Sequence, residues 1–300
     1  GSDGGGSTRI PASFCGVFGI KPTQGLVPNF FGSSSTPVVN LFSQAGPIAR
    51  SVDDAEVMLK IISGFDQRDP NSIAKTPKEY FSTESLPIKG LQFGWTTSFD
   101  NSPISKDVKV KVLEALKIFE NLGATGEEVE INVGELFEDF WGMFSACAYA
   151  RLGLIFEKTP YLLTDYAKES LEYGKKFSGA QFAQALGKAK IVKNKFASIF
   201  AKKDFIVTPT MAVTAFPVSN PPNIINGQQV NKFWGAFPFT YPVNVAGLPA
   251  VSIPCGFSDE GLPVGLQIIG NYGSEPELLN ISRAFESRCE YLSQHPPCFE

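Results

Sequence analysis

A glycine run leads into a serine at the start of the sequence: Gly1-Ser2-Asp3-Gly4-Gly5-Gly6-Ser7-Thr8-Arg9-Ile10-Pro11. A serine hydroxyl that attacks a carbonyl needs backbone able to approach closely and N–H groups aimed at the developing oxyanion. Consecutive glycines meet that need, because they carry no Cβ and tolerate φ > 0. Ser7 is therefore a candidate acyl-enzyme nucleophile, with the backbone N–H groups of Gly4, Gly5 and Gly6 as candidate oxyanion donors. A phosphate cradle and a plain turn are the other readings of the same string. The phosphate reading wants a Lys beside the Ser or Thr, and Arg9 after Thr8 does not supply one. A dinucleotide fingerprint wants its glycines to open a helix after a strand, whereas Pro11 and Phe14 follow here. On residue types and spacing alone, nucleophile and turn stay open, with the phosphate cradle the less favoured third reading.

A nucleophilic serine also needs a base. The single histidine, His295, sits near the end of the sequence between Gln294 and Pro296, which disfavours a Ser-His-Asp triad. A lysine can serve when burial lowers its pKa enough to leave it neutral. Lys21 is close in sequence but belongs to a Lys21-Pro22-Thr23 turn, where a structural role is the simpler reading.

The elements that would position this loop can be read from periodicity. Residues 14–20 read as a strand before that turn. Ser51 precedes apolar residues at Ala55, Met58, Leu59 and Ile62, an i, i+3, i+4, i+7 helix pattern that Gly64 closes. The stretch 65–90 is polar and proline-bearing, as a surface excursion is. A strand at 91–95, a helix carrying Val108, Val112, Ala115, Leu116 and Phe119, and a strand at 127–131 form a βαβ-like run. Residues 132–202 are mainly helical, most clearly over 138–152 and 178–201. A strand at 204–209 leads into a proline-rich loop over 209–228, a length that is more often functional than idle. Strands at 250–254 and 264–269 read as a hairpin around 258–261, and a last helix covers 275–286. The order of elements points to one α/β domain over 1–300.

The bulk composition excludes several classes. Of the 300 residues, 43% are hydrophobic and 19% charged, which marks a globular protein long enough to bury a core. A net charge of −4 with scattered basic residues gives no electrostatic reason for direct nucleic-acid binding. The five cysteines, Cys15, Cys147, Cys255, Cys289 and Cys298, are far apart and form no metal-ligand spacing. Free thiols in a reducing compartment, no metal and no cofactor are the expectations, with a cytoplasmic location. No apolar run is long enough for a membrane span.

The opening string, continued through Cys15-Gly16-Val17-Phe18-Gly19-Ile20-Lys21-Pro22-Thr23, resembles the second half of the signature of the amidase signature family. Further blocks follow in the family's order. They run from Gln44 to Ala55, from Val207 to Thr210, from Pro238 to Ala250 (including Thr240 and Asn244) and from Gly261 to Gly270 (including Gln267). The resemblance implies a mixed, twisted central sheet with helices on both faces, and a serine amidohydrolase with a Ser–cis-Ser–Lys arrangement. It makes Ser7 the acyl-enzyme nucleophile, with Gly4, Gly5, Gly6 and Ser7 supplying oxyanion N–H groups and Asp3 and Arg9 bracing the loop. The family's Lys and cis-Ser precede the nucleophile and have no counterpart in this sequence. The 300 residues are therefore expected to be a C-terminal portion, inactive and poorly folded alone.

The implied reaction is hydrolysis of a small-molecule carboxylic amide, with a homodimer as the candidate assembly. The alternatives are an A-type subunit of a glutamine amidotransferase for misacylated tRNA and a non-catalytic scaffold. Transamidase subunits carry Arg-Gln-Pro where this sequence has Arg9-Ile10-Pro11, and an acid where it has Phe237. An apolar residue there would leave a glutamine ammonium unpaired. Trp234, Phe237 and Phe239 are candidates to line an acyl pocket for an apolar or aryl amide, with packing aromatics as the other reading.

Overall fold

A computed structural model describes residues 1–29, 41–74, 81, 87–218 and 220–294. His295, Cys298 and parts of the 65–90 excursion lie outside the described residues. The first elements are β1 (Ser2–Asp3), α1 (Arg9–Cys15), β2 (Phe18–Lys21), β3 (Gln44–Ala45), β4 (Ile48–Ala49) and α2 (Val52–Ile62). The middle of the chain forms β5 (Gln92–Trp95), α3 (Lys106–Asn121), β6 (Thr125–Glu128), α4 (Leu136–Lys158), α5 (Asp165–Lys176) and α6 (Gly179–Phe200). Then come β7 (Phe205–Pro209), β8 (Ile224–Ile225), β9 (Gln228–Gln229), α7 (Tyr241–Ala246), β10 (Ala250–Phe257), β11 (Pro263–Gly270) and α8 (Glu275–Glu286).

Among the described residues, seven strands form one mixed sheet in the order β4-β2-β10-β11-β7-β5-β6. The β5–α3–β6 run is the expected βαβ unit, with its strands parallel and in the register Phe93↔Gly126. β10 and β11 form the expected hairpin. Helices cover both faces, as the resemblance implies. One core gathers Phe18, Ile20, Val251, Ile253, Leu266, Ile268 and Val207 against α2, α3 and α8. The other gathers Ala250, Ile269 and Ile206 against α4, α6 and α7.

Strand alternation decides which face holds the loop. Ile20, Val251, Ile268 and Val207 lie in register across four strands and point into the first core. The neighbouring row is Gly19, Ser252, Gln267 and Thr208, which must point to the other face. Its small or polar side chains leave room for α1, whose Ala12 would sit 2.7 Å from a Cβ at Gly19. The opening loop therefore rests on a polar bed that four strands contribute.

Three local expectations need correction. Of the strand expected over 14–20, Phe14 and Cys15 instead end a helix over Arg9–Cys15, and β2 begins only at Phe18. Pro11 is tolerated because it lies in the first turn of α1, where its missing N–H has no intrahelical partner, and Gly16 ends the helix at φ 63°. β6 lies two residues earlier than the alternation at 127–131 suggested; Ile131 instead makes an isolated bridge to Phe99. The 209–228 stretch is not wholly loop, since Ile224–Ile225 and Gln228–Gln229 pair around Asn226-Gly227, both at positive φ.

Candidate active site

Asp3 organises the opening loop. Its backbone is held by the β1–β3 ladder opposite Gln44, and its carboxylate is fully buried. One oxygen, Oδ1, accepts from Gly6 N at 2.7 Å, Arg9 Nη2 at 3.0 Å and Asn244 Nδ2 at 2.9 Å. The other, Oδ2, accepts from Arg9 Nε at 3.0 Å and from the N–H groups of Thr8 and Arg9 at 3.3 and 3.4 Å. Burial alone pushes this carboxyl up, but the charge and hydrogen bonds of Arg9, with Lys21 and Asn244 adding, bring it down to about 2. The loop thus winds around an anion that stays ionised.

Arg9 is equally buried and carries the brace to the sheet. Its Nη1 donates to Gln267 Oε1 at 2.6 Å and to the Thr240 carbonyl at 3.1 Å, and Nη2 also donates to Asn244 Oδ1. Gln267 in turn donates to Thr208 Oγ1 and the Phe239 carbonyl, both at 2.9 Å. Gln267, Asn244 and Thr240 hold the Asp3–Arg9 pair, a part that sequence reasoning did not assign to them. The usable signal was a lone glutamine inside Leu266-Gln267-Ile268-Ile269, a polar residue where a buried strand otherwise reads apolar.

The glycines divide their roles. Gly6 N–H, expected among the oxyanion donors, is already engaged by Asp3. Gly6 sits at φ 135°, and a Cβ there would meet Ile10 Cδ1 at 2.5 Å and Thr240 Oγ1 at 2.6 Å. The Gly5 carbonyl is turned inward to accept from Thr240 Oγ1 at 2.6 Å. Among the described residues, the N–H groups of Gly4, Gly5 and Ser7 make no hydrogen bond. Ser7 itself is exposed between buried neighbours, and its hydroxyl has no partner among the described residues. Residues 4–7 thus carry one exposed hydroxyl and three unspent backbone N–H groups.

An aromatic wall stands against this loop. Phe137, Phe140, Trp141 and Phe144 recur at i, i+3, i+4 and i+7, one face of α4. Phe140 packs on Tyr241 and Trp234, with ring centroids 5.0 and 5.2 Å apart. A Cβ on Gly5 would meet Trp234 Cη2 at 2.8 Å and Phe140 Cζ at 2.9 Å, so the rings touch the loop backbone directly. Phe237 is half-buried and meets Trp234 edge-on at 6.0 Å, at the wall's margin. Phe239 is fully buried and packs edge-on against Phe99 in the second core, so its ring is a packing group.

Comparison with known proteins decides the family. The model of the family described as Amidase matches residues 1–279. The chain belongs to the amidase family. Its matches include the A subunit of the glutamyl-tRNA(Gln) amidotransferase of Oceanobacillus iheyensis, 34% identical over 325 residues, covering 99% of this chain and 64% of the relative. The chain thus spans 64% of that relative's length. The solved A subunit of the glutamyl-tRNA(Gln) amidotransferase from Thermotoga maritima has a TM-score of 0.71 at 30% identity, covering 97% of this chain and 62% of that one. A bacterial aryl acylamidase of the amidase signature enzymes has a TM-score of 0.86 at 24% identity, covering 99% and 64%. That last likeness is one of fold.

Other expectations concern what the described residues hold. No group of three or more His, Cys, Asp or Glu among them is placed to bind a metal ion, and no helix is long and apolar enough to cross a membrane. Cys15, Cys147, Cys255 and Cys289 are free thiols.

Proposed function

We propose that this amidase-family protein cleaves a carboxylic amide through an acyl-enzyme on Ser7. The observation that carries the reading is the Asp3-centred loop, which exposes Ser7 while leaving the Gly4, Gly5 and Ser7 N–H groups unspent. Ser7 Oγ attacks the amide carbon, and its proton passes to a base. The carbonyl oxygen becomes an oxyanion within reach of the three N–H donors. Collapse expels the amine, which takes the proton from the base. Water then attacks the ester by the same route, releasing the acid and restoring Ser7. No lysine or histidine among the described residues hydrogen-bonds to Ser7. The base, for which the family resemblance implies a Lys bridged by a cis-Ser, is assigned to residues outside those described.

The uncharged aromatic wall favours an apolar or aryl acyl group over glutamine. A glutamine substrate brings an ammonium and a carboxylate, each costing several kcal/mol if buried without a partner. Phe237, at the position where transamidase subunits carry an acid, offers none. The second reading, an amidotransferase A-type subunit, is favoured by relatives such as that of Oceanobacillus iheyensis. Assaying the full-length protein on an aryl anilide and on glutamine separates the two: turnover of glutamine alone supports the amidotransferase reading. Labelling by a fluorophosphonate probe, abolished by Ser7→Ala, tests the nucleophile. If the wild type is not labelled, or labelling survives Ser7→Ala, the protein is a non-catalytic relative.

A further inference from the structure

Lys21 is a fully buried lysine that the acyl-transfer scheme does not use. It ends β2, in register with Ala250, on the same sheet face as the Gly19, Ser252 and Gln267 row. Among the described residues, its Nζ makes a single hydrogen bond, to the Pro22 carbonyl at 2.8 Å, and forms no ion pair. An ammonium has three protons to place, so this setting leaves it under-satisfied. The charged groups acting on it come from three elements: Arg9 on α1, Asp3 on β1 and Glu275 on α8. Glu275 is itself fully buried and accepts from the Thr23 N–H, two residues beyond Lys21.

The formal charges of this buried set balance only when Lys21 is protonated. Arg9 and Lys21 then offset Asp3 and Glu275; without the Lys21 proton the set carries one surplus negative charge. Asp3 transmits that surplus directly, since its carboxylate holds Gly6, Thr8 and Arg9 N–H around Ser7. A surplus anion beneath the loop opposes a developing oxyanion above it. We propose that Lys21 is a positioning residue for acyl transfer, whose ammonium balances Asp3 and Glu275 beneath the oxyanion donors. The proposal rests on the assignment of Ser7 as nucleophile. Burial, and then the like charge of Arg9, bring Lys21 down to about 7, with Asp3 and Glu275 offsetting part of the fall. Its charge therefore changes within the pH range where the protein can be assayed.

The test is the rate of fluorophosphonate labelling of the full-length protein from pH 6 to pH 9, for wild type, Lys21→Met and Lys21→Met/Glu275→Gln. Comparing variants at each pH removes the base's own titration. Below pH 7, Lys21→Met is expected to label more slowly by on the order of tenfold, the effect of one charge screened as protein interiors screen it. By pH 9 the wild type has lost the same charge, and the two rates converge. The double variant restores the formal balance, so it should recover most of the loss at pH 6. A merely structural lysine would be neither pH-conditional nor rescued by a second substitution. Thermal unfolding of each variant establishes that it is folded. A wild-type to Lys21→Met ratio that stays constant with pH, or a folded double variant no faster than the single, overturns the role of Lys21 alone. Absence of Ser7-dependent labelling in the wild type overturns the nucleophile assignment and this proposal with it.

Discussion

Replacing Asp3 by Asn tests the architecture of the loop most directly. The side chain keeps its shape but exchanges one acceptor oxygen for an amide that donates. Each Asp3 oxygen receives three hydrogen bonds, so either orientation of the new amide leaves three buried donors facing an N–H group. Arg9 also loses its only ion-pair partner among the described residues while remaining fully buried. Breaking a buried pair by removing one member costs about 3–5 kcal/mol. The depression of the Asp3 carboxyl from 3.8 to about 2 gives a smaller figure, about 2 kcal/mol, for the preference of the folded state for the charge alone. The larger value applies to the substitution, because Asn leaves Arg9 charged and unpaired whereas titration counts only the proton.

The assay is urea unfolding of wild type and Asp3→Asn across pH 2–7. The sign follows from a lowered carboxyl: its stabilisation is complete above the unfolded value near 4 and is lost as pH falls toward 2. Wild type should therefore lose stability over that window, while Asp3→Asn starts lower by about 3–5 kcal/mol and changes less there. Fluorophosphonate labelling of Ser7 should fall by about a hundredfold or more as the loop shifts. A variant within about 1 kcal/mol of wild type that labels at the same rate would refute the claim that Asp3 sets the loop.

Four other substitutions probe separate links. Gly5→Ala drives a methyl against Trp234 and Phe140, and should cost about 1–3 kcal/mol by calorimetry with a larger loss in labelling rate. Phe140→Ala empties a fully buried site between the loop and the second core, for about 3–5 kcal/mol in urea. Thr240→Val removes the hydroxyl that holds the Gly5 carbonyl, with about 1 kcal/mol lost in stability. Lys21→Met removes a buried cation whose value lies near 7 when folded, against 10.5 for an ordinary lysine. The unfolded chain binds the extra proton between those values, so wild-type stability should rise relative to Lys21→Met as pH climbs from 7 to 10.

The strands and helices with long periods were legible from residue order alone. The β10–β11 hairpin carries Val251, Ile253, Val264, Leu266 and Ile268 at alternate positions on either side of a Gly-bearing turn, and α8 opens on acids and buries Leu278, Leu279 and Ile281 at helical spacing. Residues 9–15 were not legible as a helix. Two turns cannot display a period, and Pro11 reads as a breaker unless its place in the first turn is known. Ser7 was singled out by its glycine run, whereas its proposed role and the bracing by Asp3 and Arg9 came from the family resemblance alone. The parts played by Asn244 and Thr240 could not be read there, and Gln267 showed only as a polar break in an apolar strand, since only the fold brings residues more than 230 positions apart against Asp3 and Arg9. The occupation of Gly6 N–H was also invisible, because a string of glycines does not say which amide faces inward.

The reach of the Arg9 brace imposes an order of events on the ribosome. The loop bearing Ser7 is translated long before Thr240, Asn244 and Gln267, the residues that fix Arg9. Chains stalled anywhere short of residue 240 contain the serine and its glycines but none of those three anchors. The Asp3–Arg9 pair can form early, but its brace to the sheet is complete only after synthesis has reached β11, so on the proposed role of Ser7 the fully braced loop is a late product of translation.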